Sequence, residues 1–159
     1  MRIADLNNDG LPDLILGFRN ISMKAWLNNG SGWKDESSTW APPMKIVESD
    51  GETGTRDEGV QLVDLNGDGK VDLLQSTERT PAKNAFINNG NGWTYAGDVW
   101  QTPTYFLRVN SEDKGARLAD VNGDGLADII QGYNFGDDIK AAWLNNGSGW
   151  ANSTVWITP

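Results

Sequence analysis

Three segments of the sequence align with one another without a gap, and this internal repeat constrains the fold more than any other feature. Each segment has an apolar start, an Asp-x-Asn-x-Asp-Gly-x-x-Asp core and an apolar end: residues 3–14, 62–73 and 118–129. A second aromatic and Asn-Gly-rich block follows each core, at residues 26–33, 86–93 and 143–150. The period of roughly 60 residues is longer than that of most helical repeats.

Each repeat is expected to form four short strands. In the second repeat, alternating apolar residues predict strands over 60–65, 71–76, 84–88 and 93–100. The third and fourth strands are joined by Asn-Gly-Asn-Gly, which supplies the positive-φ residues that a tight hairpin needs. No segment shows a sustained helical period, and the 19 glycines also disfavour helices.

The predicted fold class is all-β, with three tandem four-stranded antiparallel β-propeller blades. Blades are predicted at 1–43, 59–103 and 115–159, with connectors at 44–58 and 104–114, the first of them a mobile surface loop. Because one such sheet cannot bury both faces alone, neighbouring repeats must stack. Propellers usually close with about four to eight blades. The three repeats therefore predict a partial propeller, completed by other copies or by the rest of a longer chain.

The excess of acidic residues suggests that the chain binds cations. The chain has 22 acidic and 13 basic residues, and nine of its aspartates lie in the three repeated cores. One Ca²⁺ in each core would reduce the net charge from −9 to −3. An acidic surface repels nucleic acid and anionic lipid, and no apolar run is long enough to span a bilayer. Neither nucleic acid nor an inserted membrane is therefore expected as a partner.

The spacing of the oxygen ligands predicts three Ca²⁺ sites, one per repeat. The 159 residues include no Cys and no His, so only a hard, oxygen-bound cation is expected. The predicted ligands are the side chains of Asp5, Asn7, Asp9 and Asp13 with the Leu11 carbonyl, those of Asp64, Asn66, Asp68 and Asp72 with the Lys70 carbonyl, and those of Asp120, Asn122, Asp124 and Asp128 with the Leu126 carbonyl. Mg²⁺ is less suited, because it demands tighter octahedral geometry.

Two positions in each core hold residues that tolerate positive φ, and this supports the interpretation of the core as a metal-binding loop. Gly10, Gly69 and Gly125 are expected at the sharp turn, and Asn8, Gly67 and Gly123 at a second position with positive φ. A single Asn-Gly-Asp-Gly segment could be only a turn between strands. Three copies with every ligand position intact favour a metal site, since crowded carboxylates repel one another. An EF-hand would need Glu at position 12, where this chain has Leu16, Gln75 and Gln131.

Residues 64–74 and 120–130 resemble FG-GAP/VCBS-type repeats, the calcium-loop blades of integrin α-subunit propellers and of many secreted proteins and lectins. The resemblance extends over all three repeats. It implies that each loop lies between the first two strands of a blade and stiffens it without catalysis. It also implies an extracellular or cell-surface location.

The aromatic residues fall into two sets. Trp33, Trp93 and Trp150 recur at one position, and Trp40, Trp100 and Trp156 at another, which is typical of packing between blades. The aromatics outside the repeat are better candidates for a binding surface: Phe18, Tyr105, Phe106, Tyr133 and Phe135. Sequons for N-glycosylation occur at Asn20, Asn29, Asn146 and Asn152.

The sequence predicts a non-catalytic module. It has no His, no Cys and no Ser-centred motif, and its carboxylate pairs are assigned to the loops. We expect an extracellular calcium-binding repeat module for adhesion, recognition or structural self-assembly, with other copies, further blades, a protein or a glycan as partner. The alternatives are a carbohydrate-binding lectin, a filament-forming subunit, and an accessory domain of a larger secreted enzyme or toxin.

Overall fold

Three β-sheets make up the protein in a computed structural model that describes residues 1–18, 22–49, 51, 54–134 and 138–159. The strands of the first repeat are β1 (Arg2–Ala4), β2 (Asp13–Phe18), β3 (Ser22–Asn28) and β4 (Trp33–Asp35). A hairpin follows, made of β5 (Val47–Ser49) and β6 (Thr55–Asp57). The strands of the second repeat are β7 (Val60–Val63), β8 (Asp72–Thr77), β9 (Ala82–Asn88) and β10 (Trp93–Tyr95). Those of the third are β11 (Ala116–Ala119), β12 (Asp128–Asn134), β13 (Asp138–Asn145) and β14 (Trp150–Ser153).

The three repeats share one antiparallel topology. In each, four consecutive strands lie side by side in chain order. Equivalent residues are paired: Ile3 with Leu14, Leu62 with Leu73, and Leu118 with Ile129. The prediction of an all-β chain with four antiparallel strands per repeat is therefore confirmed.

The fourth strand is shorter than the sequence predicts. β10 ends at Tyr95, and a 3₁₀ turn spans Gly97–Trp100 instead of a strand that continues to Trp100. In the first repeat, the helical turn α1 (Ser37–Trp40) occupies the same place. Both turns end on a tryptophan that is at most 6 % exposed. The turn buries this indole, whereas a strand that continued along the edge of the sheet would not. Burial therefore favours the turn here, against the strand propensity of the segment.

The first connector contains a hairpin, although the sequence predicts a loop at 44–58. β5 pairs in parallel with the end of β2 through Phe18 and Val47, so the sheet of the first repeat has six strands. In the second connector, Leu107 bridges Thr77 at the equivalent place. Because the first strand of each repeat is shorter than the second, it leaves backbone groups at the end of the second strand without a partner. The connectors pair with those groups.

The middle sheet is buried on both faces. Side chains alternate across a strand, so Leu73 and Leu74 point to opposite sides of β8. Leu73 belongs to a core cluster with Ile15 of the first repeat, and Leu74 to a cluster with Ile129 of the third. All four side chains are completely buried. The expectation that neighbouring repeats stack is confirmed by these two clusters.

Candidate metal centres

Each aspartate-rich core forms the loop between the first and second strands of its sheet. The first Asp of each core follows the end of β1, β7 or β11, and the last Asp is the first residue of β2, β8 or β12. The predicted positive-φ positions are confirmed, with Asn8 at 61° and Gly10 at 87° in the first loop. Gly67, Gly69, Gly123 and Gly125 also have positive φ. The three loops therefore share the same two positive-φ positions.

The first aspartate of each core holds the turn through backbone amides. In the second loop, Asp64 Oδ1 accepts a hydrogen bond from Gly67 N at 2.8 Å, and Asp64 Oδ2 accepts one from Gly69 N at 2.8 Å. Asp120 accepts the equivalent pair of bonds from Gly123 N and Gly125 N. Asp5 accepts from Gly10 N in the same way, but its second donor is Asp9 N. These carboxylates lie at the surface or half-buried, with their negative charge near solvent.

The middle Asn and Asp form consecutive side-chain turns. Asn66 Oδ1 accepts from Asp68 N at 3.0 Å, and Asp68 Oδ1 accepts from Lys70 N at 2.9 Å. Leu11 and Leu126, whose carbonyls are predicted ligands, likewise donate their amides to the middle Asp of their loops. The ligand residues of each loop are thus adjacent, and amide donors satisfy part of their charge.

In the second loop, a lysine side chain supplies a positive charge. Lys70 Nζ lies 2.9 Å from Asp68 Oδ2. Burial acts to raise the pKa of Asp68, but hydrogen bonds from Lys70 and Asn66 outweigh it and lower the pKa below its usual value. In the other two loops, an Asn amide group donates to the middle carboxylate in place of the ammonium group.

The last aspartate of each core is completely buried and clamps two segments of backbone. Asp72 Oδ2 accepts from Leu65 N at 2.9 Å, and Asp72 Oδ1 accepts from Asn88 N at 2.8 Å. Asp13 and Asp128 make the same pair of bonds in their repeats. Burial raises the pKa of Asp72 to about 6, against the opposing effect of the two amides, and the nearby charges of Asp68 and Asp64 raise it further.

An asparagine that the sequence analysis did not single out links adjacent repeats. Asn88 donates its side-chain amide to the carbonyl of Leu6, which lies in the loop of the preceding repeat, at 2.8 Å. Asn145 donates to the Leu65 carbonyl at the same distance. The signal was present in the sequence, because Asn28, Asn88 and Asn145 occupy one position of the repeated block. Where a repeat is followed by another, the asparagine of the following repeat therefore fixes its loop.

The donor set of each loop fits a hard cation in its chemistry. Carboxylate, amide and peptide oxygens are the ligands that Ca²⁺ prefers. In the described part of the chain, however, no three acidic side chains converge into a ready-made cage. Each carboxylate oxygen has two lone pairs, so the amide bonds at Asp5, Asp64 and Asp120 leave acceptor capacity for a cation. The first three side-chain positions of each predicted ligand set lie in one turn, whereas both oxygens of the last Asp accept hydrogen bonds from backbone amides.

The repeated tryptophans pack between repeats as predicted, except at the two ends of the array. Trp93 contacts Trp40 edge to face, with ring centroids 5.7 Å apart, and Trp150 contacts Trp100 at 5.8 Å. At the ends, Trp33 is 53 % exposed and Trp156 is 43 % exposed. These two were predicted to lie in the core, but no other repeat of the described structure packs against them.

The aromatics outside the repeat differ in exposure. Phe106 is only 4 % exposed and belongs to the same core cluster as Trp100, so this candidate is part of the core and not of a binding surface. Phe18, Tyr105 and Tyr133 are half-buried. Phe135 and the sequon residue Asn20 lie outside the described residues. The sequon residues Asn29, Asn146 and Asn152 are exposed.

The shared register and the aspartate loops define a tandem-repeat, all-β protein with acidic turn-forming loops. The model of the FG-GAP-like repeat family matches residues 5–75 and 64–131, and the chain belongs to this family. Within the described residues, no helix has the length and apolarity needed to cross a bilayer.

Two curated relatives are each similar to most of this chain. A T-cell immunomodulatory protein homolog of Plasmodium yoelii yoelii is 28 % identical over 141 residues, which cover 80 % of this chain and 19 % of the relative. The homolog of Plasmodium falciparum (isolate 3D7) is 31 % identical over 137 residues, which cover 80 % and 18 %. The chain therefore spans less than a fifth of the length of these relatives.

A solved lectin structure from Agrocybe aegerita has a similar fold. It was solved to explain the specific recognition of non-reducing terminal N-acetylglucosamine. The TM-score is 0.57 at 22 % identity, and the match covers 94 % of this chain and 36 % of the lectin chain.

Proposed function

We propose that the chain is a non-catalytic, calcium-binding module of β-propeller blades that works outside the cell or at its surface in adhesion, recognition or self-assembly. The observation that carries the proposal is the threefold recurrence of one oxygen-rich loop in an FG-GAP-like repeat. The common register of the three sheets and their face-to-face packing support their assignment as propeller blades.

Calcium would neutralise the clustered carboxylates of each loop and so relieve their mutual repulsion. The residues that would hold it are the predicted sets from Asp5 to Asp13, Asp64 to Asp72 and Asp120 to Asp128. The loop backbone is tied to the next repeat through Asn88 and Asn145. Stiffening a loop would therefore also stabilise the contact between repeats.

We expect Ca²⁺ to stabilise the protein against unfolding. At a free concentration ten times the dissociation constant, each site should add about 1.4 kcal/mol, because the ion binds the folded state alone. Calorimetric melting with Ca²⁺, with Mg²⁺ and with excess EGTA measures the effect. Mg²⁺ should stabilise less than Ca²⁺.

A matched pair of variants assigns the effect to the loops. Asp64→Asn should remove about a third of the calcium stabilisation. Asp98→Asn, which changes an exposed carboxylate outside the loops, should leave the stabilisation intact. Identical melting in Ca²⁺ and EGTA would contradict the proposal.

Carbohydrate binding is a second candidate, favoured by one cavity of the third repeat. The cavity, of about 360 Å³, is lined by residues that include Tyr133, Asp138, Lys140 and Thr158. The Tyr133 ring is oriented by Arg108, which donates to its hydroxyl and lies 5.5 Å from the ring centroid. An aromatic face beside polar groups is a common design for small-ligand sites, and the lectin with the similar fold recognises a sugar.

A glycan array tests this second candidate. We expect terminal sugars to bind the wild type and binding to be lost in Tyr133→Ala, because the aromatic face is removed. Tyr105→Ala, which changes a half-buried tyrosine outside this cavity, is the matched control. An array without signal, or equal signal in both variants, would exclude this cavity as a sugar site.

A further inference from the structure

One residue of the second repeat is bonded to both the first loop and the second. The side-chain amide of Asn88 donates to the Leu6 carbonyl, in the first loop, at 2.8 Å. The backbone N–H of Asn88 donates to Asp72 Oδ1, in the second loop, at 2.8 Å. All three residues are completely buried, so water does not compete for these bonds. A single asparagine therefore fixes the positions of two neighbouring loops.

The same arrangement joins the second loop to the third. The side-chain amide of Asn145 donates to the Leu65 carbonyl at 2.8 Å, and its backbone N–H donates to Asp128 Oδ1 at 2.8 Å. Leu65 also donates its own N–H to the last Asp of the second loop, Asp72. A continuous chain of hydrogen-bonded, buried residues therefore runs from Leu6 in the first loop, through the second loop, to Asp128 in the third.

The second and third loops also contact each other directly. Leu126 of the third loop packs so closely on Gly67 of the second that a Cβ at Gly67 would lie 2.9 Å from Leu126 Cδ2. Lys70 and Asn8 occupy the two equivalent positions at the junction of the first and second loops. There, Lys70 bonds to Asp68 of its own loop. The second and third loops thus share a packing contact in addition to the asparagine.

We propose that the three loops bind Ca²⁺ cooperatively, and that Asn88 and Asn145 carry the coupling from each loop to the next. The proposal rests on the calcium binding of the proposed function and adds how its sites influence one another. An ion that orders one loop also orders the asparagine bonded to it, and that asparagine holds the last Asp of the neighbouring loop. The next ion then has less disorder to remove, so it binds more tightly. Because coupling between two sites is reciprocal, each loop of a pair should strengthen the other.

A calcium titration followed by ¹H–¹⁵N NMR resolves the three sites, because one glycine amide donates to the first Asp of each loop. These reporters are Gly10, Gly69 and Gly125. Asp124→Asn removes the charge of a predicted ligand in the third loop, and the Gly125 reporter verifies that this loop no longer loads. The affinity that Gly69 reports for the second loop should then fall at least about fivefold, the lower end of typical coupling between sites.

The Asn145 side chain distinguishes the hydrogen-bonded link from simple electrostatics. Asp124→Asn also removes a negative charge near the second loop, but that effect is the same with or without Asn145. In an Asn145→Ala background, Asp124→Asn should weaken the second loop about twofold or less, the remainder coming from the contact of Leu126 with Gly67. Asn146→Ala, which changes an exposed residue of the same hairpin, is the matched control and should leave the full effect intact.

Amide hydrogen exchange tests the link with both asparagines in place, so it does not depend on the folding of Asn145→Ala. Asp68→Asn weakens the second loop while the third can still load. Calcium should then slow the exchange of the Leu65 amide, which lies in the second loop and reports its local opening. Adding Asp124→Asn should abolish this slowing, because neither loop then loads.

Thermal melts give a further measure of the coupling. One independent site supplies about a third of the calcium stabilisation. Asp64→Asn weakens the middle loop, which is bonded to both of the others, so a loss beyond that share would support the coupling.

The outcomes separate the coupling from calcium binding itself. Reporters that respond to calcium in none of the loops would overturn the calcium proposal and the coupling with it. A second loop that loads with the same affinity whether or not the third is loaded would overturn the coupling and leave calcium binding standing. A fivefold effect that persists in Asn145→Ala would overturn the role of the asparagine.

Discussion

Replacing Asp72 with alanine is expected to lower the free energy of unfolding by about 3 to 4 kcal/mol, even without calcium, because two buried amides lose their acceptor. The Leu65 and Asn88 amides donate to this carboxylate, which is completely buried. The substitution leaves both N–H groups without a partner in a site that water does not reach. Urea unfolding in excess EGTA measures the loss.

The same loop supplies the control for this prediction. Asp68→Asn changes an exposed carboxylate that bonds Lys70, and exposed ion pairs contribute at most about 1 kcal/mol. This variant should be nearly as stable as the wild type in EGTA and should gain less from calcium. If Asp72→Ala were also neutral in EGTA, the only role of Asp72 would be that of a metal ligand.

The pH dependence of Asp72→Asn gives an independent check on the clamp. The pKa of Asp72 is raised to about 6 in the folded protein from 3.8, so the folded state takes up a proton first as the pH falls. The wild type thus gains stability from this group between pH 7 and pH 5, whereas the asparagine variant cannot. In EGTA, the deficit of the variant should therefore be larger at pH 5 than at pH 7.

The sequence predicts the loops well because turn chemistry is local. The positive φ of Asn8 and of Gly69 follows from residue type and spacing alone, and the strand predicted over 71–76 begins one residue later, at Asp72. The turn at Gly97–Trp100 could not be predicted in this way. It is favoured by burial of Trp100 against Trp150, 50 residues away in the sequence, and no local pattern reports that contact.

Asn88 makes two contacts that the sequence analysis missed for a related reason: its backbone N–H donates to Asp72, and its side-chain amide donates to the Leu6 carbonyl. Its position in the repeat was visible, but its acceptor, the Leu6 carbonyl, lies 82 residues earlier in the chain. The sequence analysis also missed the two hydrogen bonds that Asp72 accepts from backbone amides. A metal-ligand pattern already accounts for this aspartate, so it gives no reason to look for the acceptors of nearby backbone N–H groups. Together these bonds join the loop of one repeat to the third strand of the next. Loop and interface are therefore one energetic unit.

Replacing Trp93 with alanine is expected to cost about 3 kcal/mol, because it removes an aromatic residue that fills the contact between the first and second repeats. The ring packs edge to face on Trp40, and its indole N–H bonds to the Trp40 carbonyl. The half-buried position of Trp93 places the cost at the low end of the range for core tryptophans. Urea unfolding of the monomeric protein at low concentration measures it.

Trp33→Ala is the matched control, since Trp33 is the same residue type at the same repeat position and is largely exposed in the described structure. Trp33 is 53 % exposed, so its removal should change the stability of the monomer by less than about 0.5 kcal/mol. The two variants thus differ in whether the indole contacts another repeat in the described structure. If both variants lost the same free energy of unfolding, the indole would stabilise the fourth strand within its own sheet. The contact between repeats would then not be the cause of the loss.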